Sequence, residues 1–243
     1  MTFSKTSGKA QAGSFQLSRR TFVAGAIATA PLALSACQST PLIGLSNQPP
    51  LPDETFDYAL AYAAVQEDEY KIPAIKYQSF DRKFWRQVVD YDTDQRAGTV
   101  VVDPYDKHLY WVLGRGRALR YGIGVGKAGF AWSGEAKIRV KRPWPLWRPP
   151  EEMVARRPEL KKYAKEGFPP GPNNPLGARA MDLWQGATDT LYRIHGTPEP
   201  ESIGRNASSG CIRMWHQDVI DLFNRVPLET KVVVISRETP AAA

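Results

Sequence analysis

The chain has 243 residues, of which 42% are hydrophobic and 23% are charged, and its formal net charge is +7. Residues 1–36 contain four basic side chains and no acidic one, so the remainder of the chain carries only about +3. Because no dense Lys/Arg run or known binding motif remains, we exclude nucleic acid as a partner. The remaining ~200 residues are enough to bury one core.

The first predicted element is an export signal over residues 1–36. Arg19 and Arg20 form a twin-arginine pattern, which predicts export of an already folded chain. The apolar run 22–34 that follows is too short for the ~20 residues of a membrane span. The run ends in Leu-Ser-Ala-Cys at Cys37, which is typical of a bacterial lipobox. We therefore predict lipidation of Cys37; the alternative is cleavage by an ordinary signal peptidase one or two residues earlier, with Cys37 incidental.

The chain after the signal divides into four predicted parts. Residues 37–55 are rich in Ser, Pro, Asn and Gln and predict a flexible tether. Residues 56–97, called the extension below, predict short helical or extended pieces that pack on the main domain. Residues 98–236 are predicted to form that main domain, and residues 237–243 are predicted to be a disordered tail.

The main domain is predicted to be mainly β. Two β-branched or aromatic runs, 99–102 and 109–113, are separated by Asp-Pro-Tyr-Asp-Lys and predict a hairpin. The spacing of the strands is typical of a β-sandwich or a barrel. Further strands are predicted over 118–125, 136–140, 180–184, 191–195 and 231–236.

Two helical stretches interrupt the strands. The first, 151–166, follows two prolines and ends at Gly167, and Pro158 must kink or break it. The second, 218–226, places four apolar side chains on one face and predicts a helix lying on the core.

Cys211 is the candidate nucleophile. The chain has only two cysteines, and with Cys37 assigned to the lipid anchor Cys211 has no disulfide partner in an oxidising compartment. His195, at the end of a predicted strand, supplies an imidazole that takes the thiol proton and later returns it to a leaving amine. Gly210 allows a tight bend, so that the N–H groups of Gly210 and Cys211 stabilise an oxyanion by ~3 kcal/mol each. The alternative is a buried structural cysteine beside a hydrogen-bonded histidine.

We expect no metal and no cofactor. His108, His195, His216 and Cys211 include no Cys-x-x-Cys or His-x-x-x-His pair, and the spacing of Cys211 and His216 fits one helical face poorly.

The segment Ile-His-Gly-Thr at 194–197, followed by Ser-Ser-Gly-Cys-Ile-Arg-Met at 208–214, resembles the signature of the L,D-transpeptidase (YkuD-domain) family. The resemblance extends in order over residues 98–236. Its other matching segments are Gly-Thr-Val-Val-Val-Asp at 98–103, Tyr-Gly-Ile-Gly-Val-Gly-Lys at 121–127, Trp-Pro at 144–145, Pro-Pro-Glu-Glu-Met at 149–153, and Pro-Gly-Pro-Asn-Asn-Pro-Leu-Gly at 170–177. The sequence departs from the family at Leu228-Glu229-Thr230, where Gly-Thr is common, and at Asp182, where an apolar or aromatic residue is expected.

The resemblance implies a bacterial wall enzyme with a mainly β catalytic domain. Cys211 would attack the third residue of a peptidoglycan tetrapeptide stem, release D-alanine and pass the acyl group from a thioester to an amine. His195 would be the base, with its ring oriented by the carbonyl of Gly196. Gly210 and Cys211 would donate to the oxyanion, and Ser209 and Arg213 would line the site; a structural role for Ser209 is an equal alternative.

The partners implied are peptidoglycan stem peptides and, as a further acyl acceptor, a wall-attached outer-membrane protein. The predicted location is the periplasm, with the lipid on Cys37 holding the chain to the outer membrane. Two alternatives stay open. An L,D-carboxypeptidase would use water as the acceptor, and a non-catalytic lipoprotein would tether the membrane to peptidoglycan.

The segment 142–150, rich in proline and tryptophan, also has two interpretations. It is either a rigid surface connection whose tryptophans cover the core, or a wall of the substrate groove faced by residues 168–175.

Overall fold

The computed structural model describes residues 55–126, 132–207 and 212–236. The predicted export signal, Cys37, most of the tether and the C-terminal tail lie outside these residues. The described residues form thirteen β-strands. In chain order they are β1 (Val65–Glu67), β2 (Tyr70–Ile72), β3 (Gln87–Asp90), β4 (Val100–Asp103), β5 (His108–Gly114), β6 (Arg117–Gly122), β7 (Gly124–Gly126), β8 (Gly134–Pro143), β9 (Arg179–Gln185), β10 (Thr188–Gly196), β11 (Asn206–Ala207), β12 (Ile212–Met214) and β13 (Lys231–Val234).

The α-helices of the described residues are short, and they are fewer than the strands. The four described α-helices are α1 (Tyr58–Ala61), α2 (Glu151–Arg156), α3 (Lys161–Glu166) and α4 (His216–Arg225). The predicted break at Pro158 is present: a 3-10 turn, Pro158–Leu160, separates α2 from α3, and Gly167 ends α3 at a φ of 81°. Of the four apolar side chains of the predicted second helix, Val219 and Val226 are buried in the core, and Ile220 and Phe223 are partly buried against core clusters. Helix α4 begins two residues before the predicted start and ends one residue before the predicted end.

Eleven of the described strands form one sheet, in the order β11-β7-β12-β10-β9-β8-β13-β4-β5-β6-β3. The predicted hairpin is β4 and β5, which pair antiparallel. Side chains from strands far apart in this order, such as Leu119 of β6 and Val125 of β7, share one buried cluster. The sheet must therefore curl around that core, and α4 covers it with Val219 and Leu222. The prediction of a mainly β domain with a few helices is confirmed.

The predicted strand 118–125 is wrong as a single strand. It is two strands, β6 and β7, and they lie in different parts of the sheet: β6 pairs with β5 and β3, whereas β7 pairs with β11 and β12. The glycines on either side of Ile123 permit this change because other backbone approaches both closely. A Cβ on Gly122 would lie 2.5 Å from the Phe84 carbonyl oxygen, and one on Gly124 would lie 2.4 Å from that of Ser202.

Asp182 has a different environment from the apolar one expected at its position. It is buried on β9, with Arg142 Nη1 2.5 Å from one carboxylate oxygen and Arg193 Nε 2.9 Å from the other. Two guanidinium groups thus compensate the buried charge, which would otherwise be costly.

The other departure from the family pattern, at Glu229, is also explained by the local structure. Glu229 adopts a φ of 66°, in the left-handed region that favours glycine. Its carboxylate forms ion pairs with Lys137 (3.3 Å) and Arg139 (3.0 Å) on the neighbouring strand β8.

The extension packs on the main domain through aromatic and charged side chains. Strand β3 adds to the edge of the sheet beside β6, and Tyr62 packs edge-on against Trp215 at 5.2 Å between ring centroids. Arg86 reaches α4, where its Nη1 lies 2.8 Å from Asp221 Oδ1. The hairpin of β1 and β2 lies on Trp144, whose indole N–H donates to Asp68.

Candidate active site

His195 lies at the buried end of β10. Its residue is 2% exposed, and β10 pairs in parallel with β12 so that His195 lies opposite Arg213. On the other side, β10 pairs antiparallel with β9, where Ala180 is the partner of His195. Because strands hold the backbone on both sides, the position of the ring is set by the sheet.

The tautomer of His195 follows from its hydrogen bond. Nδ1 lies 2.6 Å from the carbonyl oxygen of Gly196. A carbonyl can only accept, so Nδ1 carries the proton and donates, which leaves the lone pair on Nε2. Burial lowers the pKa of His195 to about 4, and the charges of Arg213 and Arg193 act in the same direction. The imidazole is therefore neutral at pH 7, with Nε2 able to accept a proton.

Arg213 is the third predicted site residue that the structure describes, after His195 and Gly196. It is buried on β12, and its Nη1 lies 2.5 Å from Glu199 Oε2, whose side chain is more than half exposed. The turn that carries Glu199 is closed by its N–H donating to Thr197 Oγ1 at 3.1 Å. Arg213 thus joins the sheet to the loop that leaves β10.

Ser209, Gly210 and Cys211, like Cys37, lie outside the described residues. The residues on either side of this segment are both held by one strand. Ala207 of β11 pairs with Gly126, and Ile212 of β12 pairs with Val125, so both flanks lie against β7. Ile212 also pairs with Ile194, the residue before His195.

His216 is a site neighbour that the sequence did not indicate as such. Its Nδ1 accepts from the Ala178 N–H at 3.2 Å, so Nε2 carries the proton and donates to the Pro172 carbonyl at 3.2 Å. Burial lowers the pKa of this ring to about 4, which keeps it neutral. The ring lies so close to Gly196 that a Cβ there would be 3.2 Å from Nδ1. His216 therefore packs against the peptide of Gly196, whose carbonyl orients His195.

Residues 144–177, called the cap below, lie beside this centre. Trp147 and Phe168 exchange backbone hydrogen bonds at the base of the cap, and α2 and α3 lie between them. Asn174 is fully buried and fastens the base: its Nδ2 donates to the carbonyls of Pro145 (3.0 Å), Phe168 (3.1 Å) and Pro169 (2.9 Å).

The two tryptophans of the cap do different things. Trp144 is buried against Tyr70 of the extension, with 4.3 Å between the ring centroids. This agrees with the interpretation of the segment as a connection whose tryptophans cover the core. Trp147 instead lines a cavity of about 220 Å³, called the cap pocket, together with Met153 and Leu160. Glu199 and Arg213 also line that pocket. The same segment thus supplies Trp147 to the lining of a pocket and Trp144 to a packing contact with the extension.

Within the described residues no helix is long and apolar enough to cross a membrane. The same residues contain no group of three or more His, Cys, Asp or Glu side chains suited to a metal ion.

The curled sheet places a buried histidine, with Nδ1 donating to the neighbouring carbonyl, at the end of one strand. Residues 97–234 match the model of the YkuD family, the L,D-transpeptidase catalytic domain. This match spans more than half of the chain, and the chain belongs to this family.

Individual relatives are similar to this chain over part of its length. The chain is similar to the probable L,D-transpeptidase YbiS of Escherichia coli, at 30% identity over 147 residues, which are 58% of this chain and 46% of that protein. It is also similar to the probable L,D-transpeptidase ErfK/SrfK of Salmonella typhimurium, at 34% identity over 152 residues, 58% of this chain and 45% of that protein. The chain spans about half the length of these curated relatives.

Among solved structures, a protein of Brucella melitensis named a probable carnitine operon oxidoreductase caia is 48% identical, with a TM-score of 0.45 over 66% of this chain and 99% of that one. An L,D-transpeptidase of Mycobacterium smegmatis is 17% identical, with a TM-score of 0.39 over 57% of this chain and 58% of that one.

Proposed function

We propose that this chain is a peptidoglycan L,D-transpeptidase with Cys211 as its nucleophile and His195 as its general base and acid. The observation that carries the proposal is the pairing of β10 with β12. Ile212, the residue after Cys211, pairs with Ile194, the residue before His195. The neutral imidazole, with its lone pair on Nε2, is the form that a base for a thiol requires.

The reaction consists of two acyl transfers that balance in protons. His195 Nε2 takes the proton of the Cys211 thiol, and the thiolate attacks the carbonyl carbon of the third residue of a tetrapeptide stem. The bond to the terminal D-alanine breaks, and the imidazolium returns its proton to the leaving amine, so that a thioester remains. An acceptor amine then attacks the thioester, His195 takes the amine proton and returns it to the Cys211 sulfur, and the new amide leaves.

The surrounding residues have supporting roles. The N–H groups of Gly210 and Cys211 stabilise the oxyanion of each tetrahedral intermediate. Gly196 holds the imidazole through Nδ1, as its 2.6 Å contact supports. Arg213, which lines the cap pocket, contacts the donor stem, and Ser209 lies along the same segment.

Export and anchoring belong to the same proposal. The twin-arginine signal takes the folded chain to the periplasm, and the lipid on Cys37 attaches it to the outer membrane. There the chain reaches peptidoglycan stems, and a wall-attached outer-membrane protein is a further acceptor.

The test uses the purified full chain incubated with a carbapenem and, separately, with tetrapeptide muropeptides. We expect a mass increase of one carbapenem on the wild-type chain and none on Cys211→Ala. His195→Ala is expected to lose turnover on muropeptides, since the base contributes ~10²–10⁴-fold. Asp106→Ala, an exposed substitution in the β4–β5 turn, serves as the control. An unmodified wild-type chain would refute the assignment of the nucleophile.

The products distinguish the alternatives. Cross-linked dimers with release of D-alanine support a transpeptidase, whereas free tripeptides alone support an L,D-carboxypeptidase. Binding to peptidoglycan without either product supports the non-catalytic tether.

A further inference from the structure

A second cavity lies on the other side of the loop that follows His195. It has a volume of about 380 Å³, within the ~300–1,000 Å³ typical of small-molecule sites. We call it the extension pocket because residues 73–76, 79 and 80 of the extension form part of its lining. Thr197 and Pro198 line both this cavity and the cap pocket, so the two cavities meet at a ridge two residues beyond His195.

The wall from the extension lies outside residues 97–234, which match the family. It is nevertheless held firmly to the main domain. Gln217 of α4 donates to the carbonyls of Ala63 (3.0 Å) and Pro73 (2.9 Å), and Phe80 packs edge-on against Trp215 at 5.0 Å between centroids. The pocket is therefore formed in advance, and a ligand need not order its wall.

The floor of the extension pocket connects it to the catalytic base. His216 lines the pocket and packs against Gly196, whose carbonyl accepts from His195. A molecule seated in the pocket thus lies beside the peptide that orients the base.

The chemistry of the two pockets differs. The extension pocket is mostly apolar, with Ile75, Phe80 and several prolines, and Lys76 is the only charged side chain among its described lining residues. No described carboxylate forms an ion pair with Lys76, which is exposed at the rim. The cap pocket contains both Glu199 and Arg213, which pair with each other. An apolar cleft with one lysine suits a peptide that ends in a carboxylate.

We propose that the extension pocket holds the acyl acceptor, a peptide bearing an amine and a terminal carboxylate that lies against Lys76. This rests on the proposed transpeptidase function, which needs two peptides at one centre. The donor belongs in the cap pocket, because Arg213 lines that pocket and lies two residues after the nucleophile Cys211. The acceptor amine then approaches the thioester across the ridge at Thr197 and Pro198. The extension is accordingly the part of this chain that selects the acceptor.

The experiment separates acylation from transfer. Ala74 is exposed and lines the pocket, so Ala74→Trp fills the cavity; Gln78→Trp adds the same side chain to an exposed residue that does not line it. D-alanine release from the donor stem reports acylation, and the yield of cross-linked product with an acceptor tetrapeptide reports transfer. For Ala74→Trp we expect transfer to fall by roughly tenfold or more with acylation kept within about twofold, because the donor contacts are intact. Gln78→Trp is expected to match the wild type in both.

A second variant tests the charge without altering the fold. Lys76→Glu changes an exposed side chain, and we expect it to raise KM for the acceptor tetrapeptide while an acceptor with an amidated carboxyl terminus is unaffected. Equal transfer by Ala74→Trp and the wild type, or parallel loss of acylation and transfer, would overturn the proposal. So would equal KM values for Lys76→Glu and the wild type.

The experiments distinguish a failure of the acceptor-pocket proposal from a failure of the proposed transpeptidase function. A wild-type chain that is acylated and cross-links, with Ala74→Trp unaltered, refutes only the acceptor pocket. A wild-type chain that is never acylated refutes the proposed function. In that case titration of the acceptor tetrapeptide into Cys211→Ala still tests the pocket, since Ala74→Trp should weaken binding.

Discussion

Gly177→Ala should disturb His195, the proposed general base, through Gly196 and His216. Gly177 lies in the cap, has a φ of +63°, and packs directly on Gly196. A Cβ at this position would lie 2.6 Å from the Gly196 carbonyl carbon and 2.7 Å from His216 Cε1. Both neighbours belong to the group of atoms that hold the His195 ring.

The magnitude follows from two separate costs. A left-handed φ costs an L-residue roughly 1–2 kcal/mol. The clash adds about 1–3 kcal/mol, the usual cost of overpacking, because backbone on one side and a buried ring on the other must move. Restoring the 3.4 Å of an ordinary contact from 2.6 Å requires a shift of about 0.8 Å in the Gly196 peptide. A misplacement of ~1 Å near reacting groups costs on the order of 10²-fold in rate.

Gly186→Ala is the matched control. Gly186, in the turn between β9 and β10, has a φ of +58°, and a Cβ there meets nothing within 4 Å. It therefore carries the same backbone cost without the clash. Urea unfolding of both variants gives the difference in free energy, and the second-order rate of carbapenem acylation per folded molecule gives the effect on the site.

We expect Gly177→Ala to be the less stable of the two by about 1–3 kcal/mol and to acylate 10- to 100-fold more slowly, with Gly186→Ala close to the wild type in rate. Equal rates for the two variants would refute the reasoning that the Gly177–Gly196–His216 contact positions His195. Equal stabilities would show that the cap moves away from Gly196 at little cost.

Two further predictions concern pH. Because burial lowers the pKa of His195 to about 4, the acid limb of kcat/KM for acylation should lie well below pH 6.5 and towards 4; a limb at 6.5 or above would instead indicate a preformed thiolate–imidazolium pair. Asp218 is buried on α4, and burial raises its pKa to about 7, so the contribution of this one carboxyl group to the stability of the folded chain falls as pH rises from about 4 through 7. Asp218→Asn keeps the shape without the charge, so its stability relative to the wild type should increase over this range by up to ~1.4 kcal/mol per pH unit in urea unfolding. A difference that does not change with pH would contradict this.

Several local features follow from the sequence with simple physical reasons. The β4–β5 hairpin forms because a β-branched run and an aromatic-rich run flank a turn with Asp103, whose carboxylate accepts from the N–H groups of Tyr105 and Asp106. Pro158 breaks its helix because proline lacks the N–H that an interior residue donates. The order of motifs from residue 98 to residue 236 identifies the family, and residues 97–234 match its model.

Other features depended on contacts between distant parts of the chain. The strand predicted over 118–125 divides at Ile123 because Phe84 and Ser202, remote in sequence, approach the glycines beside it. Asp182 is tolerated in the core only because Arg142 and Arg193 from neighbouring strands compensate its charge. Neither effect has a local signal in the sequence.

The same division applies to the candidate site. The sequence by itself determined the residue types: a histidine before a glycine, and a cysteine sixteen residues later. The resemblance implied that the carbonyl of Gly196 orients the His195 ring, and the structure added that Nδ1 is the nitrogen that donates to it. It also placed His216 against Gly196, with hydrogen bonds to Ala178 and Pro172. The extension became a pocket wall through contacts such as that between Gln217 and Pro73, which are 144 residues apart. Periodicity and motifs report on neighbours along the chain, whereas buried contacts of this kind exist only once the sheet has curled.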